Sequence, residues 1–94
     1  MPGYVVEVYL PRSHAGEAHA AGRRARVAVD EMAAEGASIA YVRTTFLPDD
    51  ETCFHLFEAT SAKVVEEVSR RAKLGRTRVI AVIDASDPNG ESRT

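Results

Sequence analysis

Residues 39–59 read IAYVRTTFLPDDETCFHLFEA and contain two strand-like runs with a turn between them. The runs 39–46 and 52–59 are rich in aromatic and β-branched residues, which favour strands. Between them the segment 47–51 reads LPDDE, and its proline and aspartates favour a reversal of the chain. We therefore predict a β-hairpin.

The side chains of the hairpin also predict its register. We place Arg43 opposite His55 and Tyr41 opposite Phe57. Because neighbouring side chains of a strand point to opposite faces of the sheet, this register separates two sets of residues. The core face is then expected to carry Val42, Phe46, Phe54 and Leu56.

The segments on either side of the hairpin complete the secondary structure. Apolar residues alternate over 4–10, and 78–84 has the composition of a fourth strand. Helices are predicted over 13–35, starting at Ser13, and from 60 or 61 to about 74; a glycine follows each. The first helix carries a stripe of small and apolar residues at helical spacing, namely Ala18, Ala21, Ala25, Val29 and Met32.

The order strand, helix, strand, strand, helix, strand predicts the ferredoxin-like α+β fold. In this fold a four-stranded antiparallel sheet carries both helices on one face, so the other face is open. We expect the open face to carry Val5, Tyr9, Tyr41, Phe57, Val79 and Ile83. Such an apolar face is costly to expose to water, so we predict a homodimer that covers it, in the manner of a dimeric α/β barrel.

Length, charge and composition narrow the class of protein. The 94 residues fit one domain, predicted over 1–86, followed by a polar tail, 87–94, that we expect to be disordered. A net charge of −2 argues against a nucleic-acid partner, which needs a surplus of Lys and Arg. The single cysteine, Cys53, excludes an internal disulfide. Without a leader-like or membrane-spanning segment, we expect a cytoplasmic protein with no membrane partner.

Strand parity predicts a polar site on the open face. It places Glu7 and Tyr9 of the first strand beside Arg43 and His55 of the hairpin. Arg and Glu are seldom buried without partners, and His55 can act as a base, an acid or a ligand. The predicted ligand-binding set is Glu7, Tyr9, Tyr41, Arg43, His55 and Phe57. Alternatively, the polar residues bind one another and fix the dimer register without any ligand.

A metal site has two candidate sources of ligands. His55 with Glu7 offers an imidazole and a carboxylate, which need a second subunit or water to complete a coordination shell. His14 and His19 are five residues apart, a spacing that does not place them on one helix face, so we interpret them as solvent-exposed. Cys53 shares a strand face with His55, and we interpret it as a small buried residue.

The chain resembles a family of small actinobacterial ferredoxin-like proteins described as nickel-binding or nickel-responsive, a domain of unknown function. The similar segments are 4–7 (YVVE), 36–46, 54–59 (FHLFEA) and 78–84. The resemblance implies the same fold and nickel as the metal.

Family members commonly have a His at the position of Arg43 and a Cys at the position of His55. Since a guanidinium is not a metal ligand, Arg43 favours an anionic ligand such as a carboxylate.

The sequence leaves three functions open. The first is a non-enzymatic dimer that holds a metal ion or a small anionic or aromatic ligand between its sheets. The second is a cofactor-independent monooxygenase or isomerase of the dimeric α/β-barrel type, in which His55 moves a proton and Arg43 stabilises an oxyanion. The third is a subunit that uses its open face to bind a different chain. Whether any reaction is catalysed stays open at this point.

Overall fold

The computed structural model describes residues 1–83, which form one antiparallel sheet and two helices. The elements are β1 (Gly3–Tyr9), a 3-10 turn (Arg12–His14), α1 (Ala15–Ala34), β2 (Ile39–Leu47), β3 (Thr52–Ala59), α2 (Ala62–Arg71) and β4 (Thr77–Val82). This order confirms the predicted ferredoxin-like α+β fold. The tail predicted at 87–94 lies outside the described residues.

The sheet has the strand order β2-β3-β1-β4, and every neighbouring pair is antiparallel. Both helices pack on the face of the sheet that carries Val6 and Phe57, and these two side chains are fully buried. The helices contribute the rest of the core, chiefly Ala21, Ala25, Val29, Met32, Val65 and Val68. The opposite face of the sheet carries no helix among the described elements, and we call it the helix-free face.

Helix α1 lies close to the sheet because the residues it turns toward the sheet are small. The predicted stripe from Ala18 to Met32 is buried, and Gly22 and Ala28 are buried with it. The helix begins at Ala15, after the 3-10 turn, and its N-cap residue is His14. The prediction that the helix starts at Ser13 is therefore wrong. At its other end Gly36 has φ +100, as predicted for a residue that terminates a helix.

Helix α2 is shorter than predicted and ends at Arg71, after which Ala72 still has helical backbone angles. Lys73 and Gly75 both have positive φ values, 55° and 87°, which turn the chain toward β4. Leu74 is buried although it lies beyond the helix. Within α2, Glu67 and Arg71 form an ion pair at 2.7 Å.

The β2–β3 hairpin contains an irregularity at Val42. Tyr41 lies opposite Phe57, as predicted, but Arg43 lies opposite Leu56 and not His55. The register therefore shifts by one residue between Tyr41 and Arg43, which is the signature of a β-bulge. The bulge reverses the face on which every later residue of β2 lies, because side chains alternate along a strand.

The prediction that His55, Phe57 and Tyr41 lie on the helix-free face is wrong. His55 is 1% exposed, Phe57 is fully buried, and Tyr41 packs against the helix-side core. The reason is the pairing of β1 with β3, which sets Val6 opposite His55 and so places both on the helix side. Val79, also predicted on the helix-free face, lies opposite Val6 and packs on the same core.

A glycine at the end of α1 provides the first test. Gly36→Ala puts a side chain at φ +100 with no atom within 4 Å of the new Cβ, so only the backbone conformation opposes it. We expect the free energy of unfolding in urea to fall by about 1 kcal/mol or more. The control, Gly16→Ala, adds a Cβ in open space within α1 and should leave stability equal or slightly higher. Equal effects of the two substitutions would contradict this account.

Candidate functional site

A groove of about 590 Å³ runs between α1 and the edge strand β2. Its apolar lining comes from Ala18, Val42 and Phe46 among others. Four basic residues also line the groove, namely His19, Arg23, Arg26 and Arg43. None of the described residues that line it is acidic. The groove is therefore an apolar cleft with positive charge around it.

A chain of polar side chains leads from the wall of this groove into the protein interior. The Tyr41 hydroxyl lies 2.6 Å from Oγ1 of Thr44, and that oxygen lies 2.7 Å from Nδ1 of His55. On the far side of the ring, Nε2 of His55 lies 3.7 Å from Sγ of Cys53. We call these four residues the polar chain. Both ring nitrogens of His55 therefore have partners, as a buried polar side chain requires.

Two local features of the sequence produce this arrangement. The bulge at Val42 brings Thr44 opposite His55, where the regular register would not place it. Gly22 of α1 leaves room for the two hydroxyl groups. A Cβ at that position would lie 2.9 Å from Oγ1 of Thr44 and 3.1 Å from the oxygen of Tyr41. The polar chain thus depends on the absence of a side chain in the helix above it.

Burial keeps the inner part of the polar chain uncharged. The pKa of His55 is lowered from 6.5 to about 4, first by desolvation and second by the positive charge of Arg24. The pKa of the Cys53 thiol is raised, first by desolvation and second by the negative charge of Glu17. At neutral pH the pair is therefore a neutral imidazole beside a protonated thiol. This is not the thiolate and imidazolium pair of a cysteine nucleophile.

The structure brings together only part of the predicted ligand-binding set. Tyr41 and His55 belong to the polar chain. Arg43 borders the groove at the edge strand, although its position opposite Leu56 places it on the helix-free face. Phe57 lies in the core, with its ring 5.8 Å from that of Tyr41 in an edge-on arrangement. Phe57 therefore packs against Tyr41 from the core side.

Glu7 and Tyr9 lie on the other side of the sheet from this groove. Glu7 is opposite Phe54 and Arg78 in the neighbouring strands, and its carboxylate lies 3.7 Å from the Arg78 guanidinium. The Tyr9 side chain is exposed. These two residues thus face away from the polar chain.

The predicted metal pair does not fit a single ion. Glu7 lies on the helix-free face while His55 is buried beneath the helices, so the sheet separates the two side chains. Within residues 1–83 there is no group of three or more His, Cys, Asp and Glu side chains close enough to hold a metal. The described donors therefore do not support the nickel site that the family resemblance implied.

Sequence reasoning missed Thr44 and Gly22. Thr44 is a polar residue in an ordinary strand pattern, and only the bulge makes it a partner of His55. Gly22 did carry a signal, because a glycine inside a helical pattern often marks a close approach of another element.

Comparisons with known proteins add no family to this geometry. No family model matches the chain, and no match was found among curated proteins or among solved structures. The resemblance to the nickel-binding family therefore stays a prediction. In the part of the chain that the structure describes, neither helix has the length and apolarity needed to cross a bilayer.

The low pKa of His55 predicts a pH dependence of stability. Protonating the buried ring opposes folding. The neutral His55 ring therefore contributes its full stability above pH 6.5, and this contribution is lost as the pH falls toward 4. Between pH 7.5 and pH 5 we expect His55 to account for a loss of about 2 kcal/mol in the free energy of unfolding. Urea unfolding at both pH values measures it.

The variants for this test are His55→Gln and His19→Gln. The first removes the buried imidazole and should flatten the pH dependence, whereas the second changes an exposed histidine and should retain it. An NMR titration of the wild-type ring gives an independent check. A His55 signal that titrates at its ordinary pKa would contradict the prediction.

The hydrogen bond between Thr44 and His55 predicts a specific cost of removing one hydroxyl. Thr44→Val keeps the shape of the side chain but leaves Nδ1 of His55 without its partner, so unfolding should become easier by about 1–3 kcal/mol. Thr45→Val is the matched control, because Thr45 is exposed and lies opposite Phe54 on the other face. It should change stability by less than about 0.5 kcal/mol. Chemical denaturation of both variants measures the two changes in stability.

Proposed function

We propose that this chain is a small-ligand-binding protein that works as a homodimer, with the helix-free face as the dimer interface and the groove as the ligand site. One observation is the main support for the proposed homodimer. Val5 of β1 lies directly between Leu56 of β3 and Ile80 of β4, and Phe54 follows in the next row of the same face. Neighbouring apolar side chains on three strands form a band that a second copy can cover.

Charged residues of both signs surround this apolar band. Arg43 lies on one side, opposite Leu56, and the Glu7–Arg78 pair lies on the other. Glu58 adds a further acidic group beside β2. A twofold dimer uses the same surface of each copy, so a surface with both signs can match itself. An apolar centre with a charged margin is also the usual anatomy of a protein interface.

The groove supports the ligand-binding half of the proposal. It lies on the helix side of the sheet, so pairing through the helix-free face leaves it open to ligands. Its volume and its mainly apolar lining with a few polar groups are typical of small-molecule sites.

The same geometry argues for binding and against the oxygenase or isomerase mechanism. That mechanism requires His55 and Arg43 at one substrate between the sheets, but His55 is 1% exposed on the helix side and both its nitrogens have partners. A buried free thiol and a net charge of −2 fit a reducing, cytoplasmic setting without a nucleic-acid partner.

The dimer is tested by placing a charge in the apolar band. Leu56→Arg should weaken self-association by roughly tenfold or more, because a buried unpaired charge at the centre of an interface is costly. Val27→Arg is the control, since Val27 is 56% exposed on α1 and far from the helix-free face. Sedimentation equilibrium of the wild type and both variants measures the effect. A monomeric wild type would overturn the homodimer and leave the face for a different chain.

A further inference from the structure

The nine arginines of residues 1–83 differ in whether they form ion pairs and in whether they line the groove. Four form ion pairs with carboxylates, and none of these lines the groove: they are Arg24, Arg70, Arg71 and Arg78. Arg23 and Arg26 line the groove from α1, and Arg43 borders it from the edge strand β2; these three make no ion pair with any residue of 1–83. The remaining two, Arg12 and Arg76, neither form an ion pair with a described residue nor line the groove. The groove thus gathers positive charge that the described protein does not neutralise, which favours a negatively charged occupant.

Arg26 connects this charge to the polar chain. Its guanidinium carbon lies 5.7 Å from the centre of the Tyr41 ring. At this distance the cation is held over the aromatic face while its N–H groups stay available to a ligand. Arg26 of α1 and Tyr41 of β2 therefore present a cation and a hydroxyl group side by side at the groove.

The Tyr41 hydroxyl has one hydrogen-bond partner within the described chain, Thr44. A hydroxyl can donate one hydrogen bond and accept two, so this group has capacity left for a ligand. If Tyr41 donates its proton to an anion, it must accept from Thr44, and Thr44 must in turn accept from Nδ1–H of His55. The remaining ring nitrogen, Nε2, then accepts from the Cys53 thiol. Every donor in the polar chain would point toward the groove.

We propose that the groove binds a small organic anion, with an apolar body and one carboxylate or phosphate head, and that the head accepts a hydrogen bond from Tyr41 beside Arg26. Binding thereby holds His55 in its Nδ1–H tautomer. This inference rests on the proposed ligand-binding function and names the ligand class of that groove.

The protonation states of the interior are consistent with this order. The donor sequence needs a protonated thiol and a neutral imidazole at its inner end. Burial supplies both, since it raises the pKa of Cys53 and lowers that of His55 to about 4. Neutral groups aligned in one direction place the positive ends of their dipoles toward the anion.

Three probes with one aromatic body test the ligand class: 1-naphthoate, 1-naphthyl phosphate and 1-naphthalenemethanol. Isothermal titration of the full chain should show at least one of the two anions binding roughly tenfold or more tightly than the neutral alcohol. Equal binding of all three would overturn the anionic class while leaving the ligand groove in place. Failure of all three would overturn both this inference and the ligand half of the proposed function.

Variants assign the contact to named side chains. Arg26→Gln and Tyr41→Phe should each weaken binding of the preferred anion by about tenfold and change binding of the alcohol much less. Arg70→Gln is the matched control, because Arg70 lies on α2 away from the groove and should leave binding unchanged. Anion binding that both groove variants retain at full strength would overturn the proposed contact.

The tautomer of His55 gives a readout that affinity alone does not. In 15N-labelled protein saturated with the anion, we expect the ring signals of His55 to show a proton on Nδ1. Finding the proton on Nε2 in the complex would overturn the donor order.

Discussion

The close approach of α1 to the sheet determines how the core of the protein is packed. Small residues on one side of α1 allow it to lie against β2, and Gly22 is the extreme case because any side chain there would collide with two hydroxyl groups. The same approach closes the core over Val6 and Phe57. It also forms the inner wall of the groove, so core packing and the candidate site are consequences of one contact.

Burying His55 in that contact is costly unless both nitrogens are satisfied. The structure meets this requirement with Thr44 on one side and Cys53 on the other. A single apolar residue at 55 would avoid the requirement altogether. The partners of His55 extend to Tyr41 at the groove, so the polar chain connects the buried histidine to that surface.

The sequence predicted the order of elements well, because that information is local. Turn residues over 47–51, the glycine after α1 and the small-residue stripe each identify their own element. The choice of face was not local. In β3, Cys53, His55 and Phe57 alternate with Phe54 and Leu56, so both faces are largely apolar and hydrophobicity does not distinguish the core side. Pairing with β1 decides it, and a single-strand pattern does not contain that information.

The candidate site was predicted in part for the same reason. Tyr41, Arg43 and His55 were identified as residue types suited to binding, and the structure places all three in or beside the groove. Their grouping with Glu7 was wrong because β1 pairs with β3 so that Val6, and not Glu7, shares a face with His55. The predicted pairing of Arg43 with His55 failed for a different reason. One extra residue at Val42 was enough to change which strand positions share a face.

The bulge has a second consequence, for association along the sheet edge. β2 is an outer strand of the sheet, and an outer strand with regular geometry can template the addition of further strands from other molecules. The displaced backbone at Val42, next to the charged Arg43, interrupts that template in the middle of the strand. The irregularity at Val42 therefore also disfavours open-ended polymerisation along this edge.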